Sequence, residues 1–145
     1  MDGAPAADDL QQRLVAFVRA FGLHRGDETP CGAPVPVSEA HALAVLSDRG
    51  GLPQFELGRH LRLEKSTVSR LVDQLAGRGW VRRVAGGGDG RRRTVELTGE
   101  GRTAAQGIAR RRAVRMARLL DRIPEAERPA VLAALETLVD AARED

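Results

Sequence analysis

Apolar residues recur along this chain at helical intervals, interrupted once by a short stretch that alternates. Leu10, Leu14, Phe17, Val18 and Phe21 fall on one face of a 3.6-residue period. They predict a first helix that follows a frayed start over residues 1–8 and ends near Gly22 and Gly26. Three Pro and two Gly within residues 25–37 then read as a loop. Ser38 is placed to cap a second helix, its hydroxyl accepting an orphan backbone N–H. Leu43 and Leu46 face its interior and Gly50-Gly51 stops it. Pro53 suits the first turn of a third helix, where its missing N–H is no loss. Phe55, Leu57 and Leu61 are its expected anchors, with Leu63 in the following turn.

A fourth helix is predicted from Lys65 to Arg78 on the stripe Val68, Leu71, Val72 and Leu75, with Gly79 at its C-terminal cap. The alternating stretch comes next. Trp80–Val84 and Arg93–Leu97 read as strands, Val95 and Leu97 on one face and Thr94 and Glu96 on the other. The connection between them is too long for a tight turn, so the hairpin is open. Thr98 caps a fifth helix to about Arg122. Pro124 interrupts, and a sixth helix to about Arg143 carries Val131, Leu132, Leu135, Leu138 and Val139 on one side. The expected fold is mostly α with a small β-hairpin wing: a winged helix-turn-helix domain over 38–98, flanked by helical dimerisation regions over 1–37 and 99–145.

Charge adds to this picture through its distribution. Residues 58–93 carry ten basic and three acidic side chains, against four and eight before them and nine of each after them. A basic middle between acidic and neutral flanks is the footprint of a nucleic-acid-binding segment. Only three residues, Arg62-Leu63-Glu64, separate the third and fourth helices, the spacing of a helix-turn-helix whose second helix enters a major groove. Subtracting the buried stripe leaves Lys65, Ser66, Thr67, Ser69, Arg70, Asp73 and Gln74 facing outward. Arg70 is able to grip guanine through two hydrogen bonds, and the helix start offers N–H groups to a phosphate. Arg82, Arg83, Arg91, Arg92 and Arg93 gather on the hairpin, whose glycines allow close approach to a minor groove. The same segment also suits a winged-helix protein-interaction module without specific DNA binding, which predicts no salt-sensitive DNA affinity.

The run Glu64 to Leu75, followed by Arg78-Gly79-Trp80-Val81, resembles the fourth helix and wing start of the MarR family of transcriptional regulators. Asp89-Gly90-Arg91 with Leu97-Thr98 and Gly101 resembles that family's wing signature and its close. The resemblance implies a homodimer interlocked through its first, fifth and sixth helices, binding double-stranded DNA at a pseudo-palindrome, most simply as a repressor. It assigns base and phosphate contacts to Ser66, Thr67, Ser69 and Arg70, minor-groove insertion to Arg91 and its orientation to Asp89. Lys65, Gln74, Arg92 and Arg93 complete the expected DNA-binding set. Two residues depart from the family: Gly58 stands where Ala is common, and Arg62 where Gly is common. A left-handed Arg62 would cost on the order of 1 kcal/mol. The apolar stripes of the first and last helices also call for a partner, most simply a second copy.

Sensor chemistry is sparser. His24, Cys31 and His41 surround the first loop, but the family's zinc-sensing branch also needs His on the fifth helix, where this chain has none, so no metal or other cofactor is expected. Cys31 is a candidate redox sensor, although Asp27 and Glu28 disfavour the thiolate that such chemistry needs. Arg110, Arg111, Arg112, Arg115 and Arg118 suit either a small anionic effector or a solvated face paired with acids such as Asp121 and Glu125. The three His are scattered and no nucleotide motif is complete, so the chain is not expected to be an enzyme. One Cys excludes an internal disulfide, and neither a signal peptide nor a membrane span is visible, so a cytoplasmic location is expected.

Overall fold

A computed structural model of the chain describes residues 3–85 and 93–144. The elements run α1 (Gly3–Phe21), α2 (Val37–Arg49), β1 (Leu52–Pro53), α3 (Gln54–Leu61), α4 (Lys65–Gly77), β2 (Val81–Ala85), β3 (Arg93–Leu97), α5 (Gly99–Asp121) and α6 (Arg128–Arg143). A single 3-10 turn, Glu125–Glu127, follows Pro124 and leads into α6. Fold class and the order of the helices and the hairpin follow the sequence expectation.

The core sits where α2, α3 and α4 meet the sheet and the first half of α5. Leu43, Leu46, Leu57, Leu71, Val72, Leu75 and Val95 are almost wholly enclosed, and Ala105 and Ile108 of α5 close one side. All four stripe residues of α4 are buried. The sheet is antiparallel in the order β1-β3-β2, with Val81 opposite Leu97, Arg83 opposite Val95 and Leu52 opposite Val95 on the other edge. Strand β1 was not expected: its two residues are too short to show a period, and Pro53 is tolerated because it lies on the sheet edge.

Several local expectations need correction. Helix α1 starts at Gly3 rather than after residue 8, since Ala4, Ala6 and Ala7 favour helix. Ser38 lies inside α2 and is no cap. Pro36 occupies the cap position, and its carbonyl accepts from Ala40 N at 3.1 Å. Phe55 is 54% exposed and does not anchor α3, a role that Leu57 fills. Strand β2 begins one residue late, at Val81, because Gly79 takes a left-handed turn (φ 78°) after α4. The Thr98 cap is as expected, its hydroxyl accepting from Gly101 N at 3.0 Å.

Helices α1 and α6 bury none of their residues. Leu10, Leu14 and Phe17 on one, and Leu132, Leu135 and Val139 on the other, remain exposed. The two stripes therefore do not cover one another within the chain.

Candidate nucleic-acid interface

The turn between α3 and α4 is built from two unusual residues. Arg62 adopts φ 55°, ψ 45°, the only left-handed conformation outside glycine among the described residues. Leu63 N closes the turn on Gly58 O at 3.0 Å. A β-carbon on Gly58 would lie 3.0 Å from Val68 Cγ2, so the branched Val68 occupies the room an alanine would need. Both departures from the family pattern thus belong to one tight turn, and the turn itself forms as expected.

Beyond it, α4 turns Lys65, Ser66, Arg70, Asp73 and Gln74 outward, while Thr67 and Ser69 are half-buried. The wing base is tied to this helix by Arg83. Its Nη2 lies 2.7 Å from Asp73 Oδ1 and donates to Ser69 O at 3.5 Å, and its Nε donates to Gln54 Oε1 at 3.3 Å. One guanidinium thereby joins β2, α3 and α4. Arg82 pairs instead across the sheet with Glu96, at 2.6 Å. These two arginines, grouped by sequence with the groove-seeking set, are engaged by other groups of the protein, Arg83 half-buried and Arg82 at the surface. Arg93 is exposed at the start of β3, opposite Ala85. Asp89, Arg91 and Arg92 lie outside the described residues.

The closing motif has a mechanical reason. Thr98 Oγ1 donates to Gly79 O at 2.6 Å, and Thr98 N donates to Trp80 O at 3.0 Å. A β-carbon on Gly101 would come within 2.8 Å of the Trp80 carbonyl carbon. Only glycine lets α5 start against that backbone.

Glu39 was not singled out by sequence. It is 2% exposed, and its Oε2 lies 2.9 Å from Arg78 Nε at the end of α4, an ion pair without hydrogen-bond alignment. The Arg78 guanidinium also stacks over Trp80, 5.1 Å from the ring centre. Acidic α2 thus holds the end of α4 and the start of the wing together.

A second region lies between α1, α2 and α5. Phe21, Cys31, His41, Ile108, Arg112 and Arg115 line a cavity of about 120 Å³. An open groove of about 420 Å³ on its flank takes Arg110, Arg111 and Arg118, with Arg115 and Cys31 shared. Arg115 Nε is buried without a hydrogen-bond partner, its guanidinium 5.4 Å from the Phe21 ring centre. Among the described residues none of the five clustered arginines is in an ion pair, Asp121 and Glu125 included; Arg111 donates to Gly32 O at 3.0 Å. Cys31 Sγ lies 2.9 Å from Thr29 Oγ1, whose hydroxyl also accepts from Ala33 N. Cys31 and His41 share the cavity, but His24 does not line it, and among the described residues no three His, Cys, Asp or Glu side chains gather as a metal site. Nor is any described helix long and apolar enough to cross a membrane.

A braced helix-turn-helix followed by an antiparallel wing defines a winged-helix DNA-binding protein. Residues 33–92 match the profile of the MarR family, and this match together with the solved structures below marks a DNA-binding transcriptional regulator. Among solved structures it is similar to the PcaV transcriptional regulator of Streptomyces coelicolor in complex with its natural ligand. That match has 25% identity and TM-score 0.72, covering 98% of this chain and 97% of that one. BpsR of Bordetella bronchiseptica is 18% identical, with TM-score 0.70 over 92% and 98% of the two chains. The Staphylococcus aureus MepR–DNA complex is 22% identical, with TM-score 0.67 over 74% and 80%. No curated protein sequence matches the chain.

Proposed function

We propose that the protein is a homodimeric repressor that binds a pseudo-palindromic operator in double-stranded DNA and is released by a small anionic effector. The observation that carries this reading is the outward polar face of α4, held in register with the wing by Arg83. Ser66, Arg70 and Gln74 read base edges from that face. Lys65, Thr67 and Ser69 contact phosphates near the helix start, and Arg93 with Arg91 and Arg92 extends the interface to the minor groove, Asp89 orienting Arg91. The exposed stripes of α1 and α6 supply the dimer contact, so residues 1–37 and 99–145 serve dimerisation around the 38–98 winged domain. Recognition helices ~34 Å apart would meet half-sites one duplex turn apart.

The unpaired arginines around the α1–α2–α5 cavity favour an anion over a merely solvated face. A similar chain, BpsR, has its DNA binding regulated by 6-hydroxynicotinic acid, a small aromatic acid. Cys31 lines the same cavity with its thiol engaged by Thr29, which supports a lining role over redox sensing. The test is selection of bound duplexes from a random pool, followed by salt titration. A two-fold-related consensus is expected, and affinity should fall about a thousand-fold or more between 50 and 200 mM salt if roughly 6–10 phosphates are contacted. Salt-insensitive binding, or no consensus, would sink the reading.

A further inference from the structure

A concavity of about 470 Å³ opens at the α3–α4 turn, apart from the effector cavity. The buried pair Gly58 and Val68 forms its floor, and Phe55, Arg59, Arg62 and Lys65 stand around it. Three cations thus converge on one groove at the start of α4, with Glu64 the only acid lining it. All three are exposed, and among the described residues none is in an ion pair or a side-chain hydrogen bond. At its floor Val68 packs directly on the Gly58 backbone, where a β-carbon would lie 3.0 Å from Val68 Cγ2.

Arg62 is the telling residue. Its left-handed backbone is one that glycine adopts freely and a residue with a β-carbon adopts at a cost. Backbone strain concentrates where a side chain has work to do. A glycine would make the same turn, so what Arg62 adds is a third cation on the groove rim.

We propose that this groove is a phosphate seat: Arg59, Arg62 and Lys65 together hold a backbone phosphodiester of the DNA beside the bases read by α4. The inference rests on the DNA-binding reading above and adds to it two residues, Arg59 and Arg62, and a site of defined chemistry. A phosphodiester fits better than an acidic peptide because the three cations stand at the start of the helix whose outward face meets the bases, where the duplex backbone passes.

The decisive variant is Arg62→Gly. It removes the strain and the charge together, so stability and DNA binding are expected to move in opposite directions. The thermal midpoint should rise by a few degrees, which excludes misfolding as the cause of weakened binding. The slope of log affinity against log salt should become shallower by about 0.9 per protomer, or about 1.8 for a dimer on one duplex. Cognate and scrambled 30-base-pair duplexes should lose affinity by the same factor, and Arg62→Lys should keep the wild-type slope. An unchanged slope in Arg62→Gly overturns the proposal, as does a loss confined to the cognate duplex, or an Arg62→Lys protein that behaves like Arg62→Gly. If the wild-type protein itself shows no salt-dependent DNA binding, the reading above falls and this one with it. If the wild type binds and Arg62→Gly matches it, only the phosphate seat falls.

Discussion

The Arg83 guanidinium sits 2.7 Å from the Asp73 carboxylate, joining the base of the wing to the middle of α4. Arg83 is only 24% exposed while Asp73 is 63% exposed, so the arginine is the fixed member and the aspartate reaches to it. A half-exposed pair of this kind contributes about 1 kcal/mol to stability. Its larger consequence is angular, because the same guanidinium also holds Ser69 O and Gln54.

Arg83→Ala is therefore expected to lower folding stability by about 1–2 kcal/mol in urea titration and to reduce discrimination between cognate and scrambled duplexes about tenfold. The salt slope should stay at the wild-type value, because a brace touches no phosphate. A shallower slope with discrimination intact would make Arg83 a phosphate contact instead. Asp73→Asn should reproduce the loss of discrimination in milder form.

Gly101→Ala tests the joint between wing and α5. The added methyl meets the Trp80 carbonyl, which is held by Thr98 N, so neither side yields cheaply. A loss of more than about 2 kcal/mol is expected. Trp80 is the only tryptophan, so its emission reports the displacement directly. Gly77→Ala is the control: nothing lies within 4 Å of the new methyl at the end of α4. A gain of up to about 1 kcal/mol is expected there. Equal effects at the two glycines would remove the steric account.

How far the sequence foretold this structure depends on the range of each interaction. Val68, Leu71, Val72 and Leu75 declare their helix through period alone, and Thr98 declares its cap through the residues next to it. Glu39 could not be found this way, because its partner Arg78 lies at the far end of α4 and only folding brings them together. Ser38 misled because a good capping side chain says nothing about helix phase. Buried Val35 and Glu39, with Pro36 between them, set the start two residues earlier than Ser38 would. Phe55 misled for the opposite reason: apolarity predicted burial, whereas the phase of α3 spends its inward positions on Leu57 and Gly58. The polar face of α4 was readable as the complement of its stripe. Arg83 was misjudged with its neighbours because local charge does not reveal which arginine turns inward.

Leu135→Asp probes the exposed stripe of α6. Leu135 is 47% exposed and lies outside the winged core, so the charge should leave core unfolding nearly unchanged. In a two-fold dimer the change occurs twice. At about 1.5–3 kcal/mol for each leucine buried, the dimer dissociation constant should rise at least about a hundred-fold. Sedimentation equilibrium at micromolar protein measures this. A wild-type protein that sediments as a monomer would refute the dimer, and a Leu135→Asp protein that still dimerises would move the interface elsewhere.

Arg115 offers a test in which stability and ligand response part company. Its buried Nε has no hydrogen-bond partner, a situation that costs about 1–3 kcal/mol. Arg115→Met keeps most of the bulk against Phe21 and Met116 and removes the orphan polar group, so the free protein should melt at the same temperature or higher. If the orphan nitrogen awaits an anion, the same change should abolish the response to one. Wild-type protein in hydroxybenzoate at about a hundred times its dissociation constant gains about 2.7 kcal/mol, a rise of several degrees in melting temperature for a chain this size. Arg115→Met should show no rise and should keep its DNA bound at hydroxybenzoate concentrations that release the wild type. An equal melting shift in both proteins would show that Arg115 does not hold the anion. A destabilised Arg115→Met protein would show that the arginine is already satisfied by its surroundings.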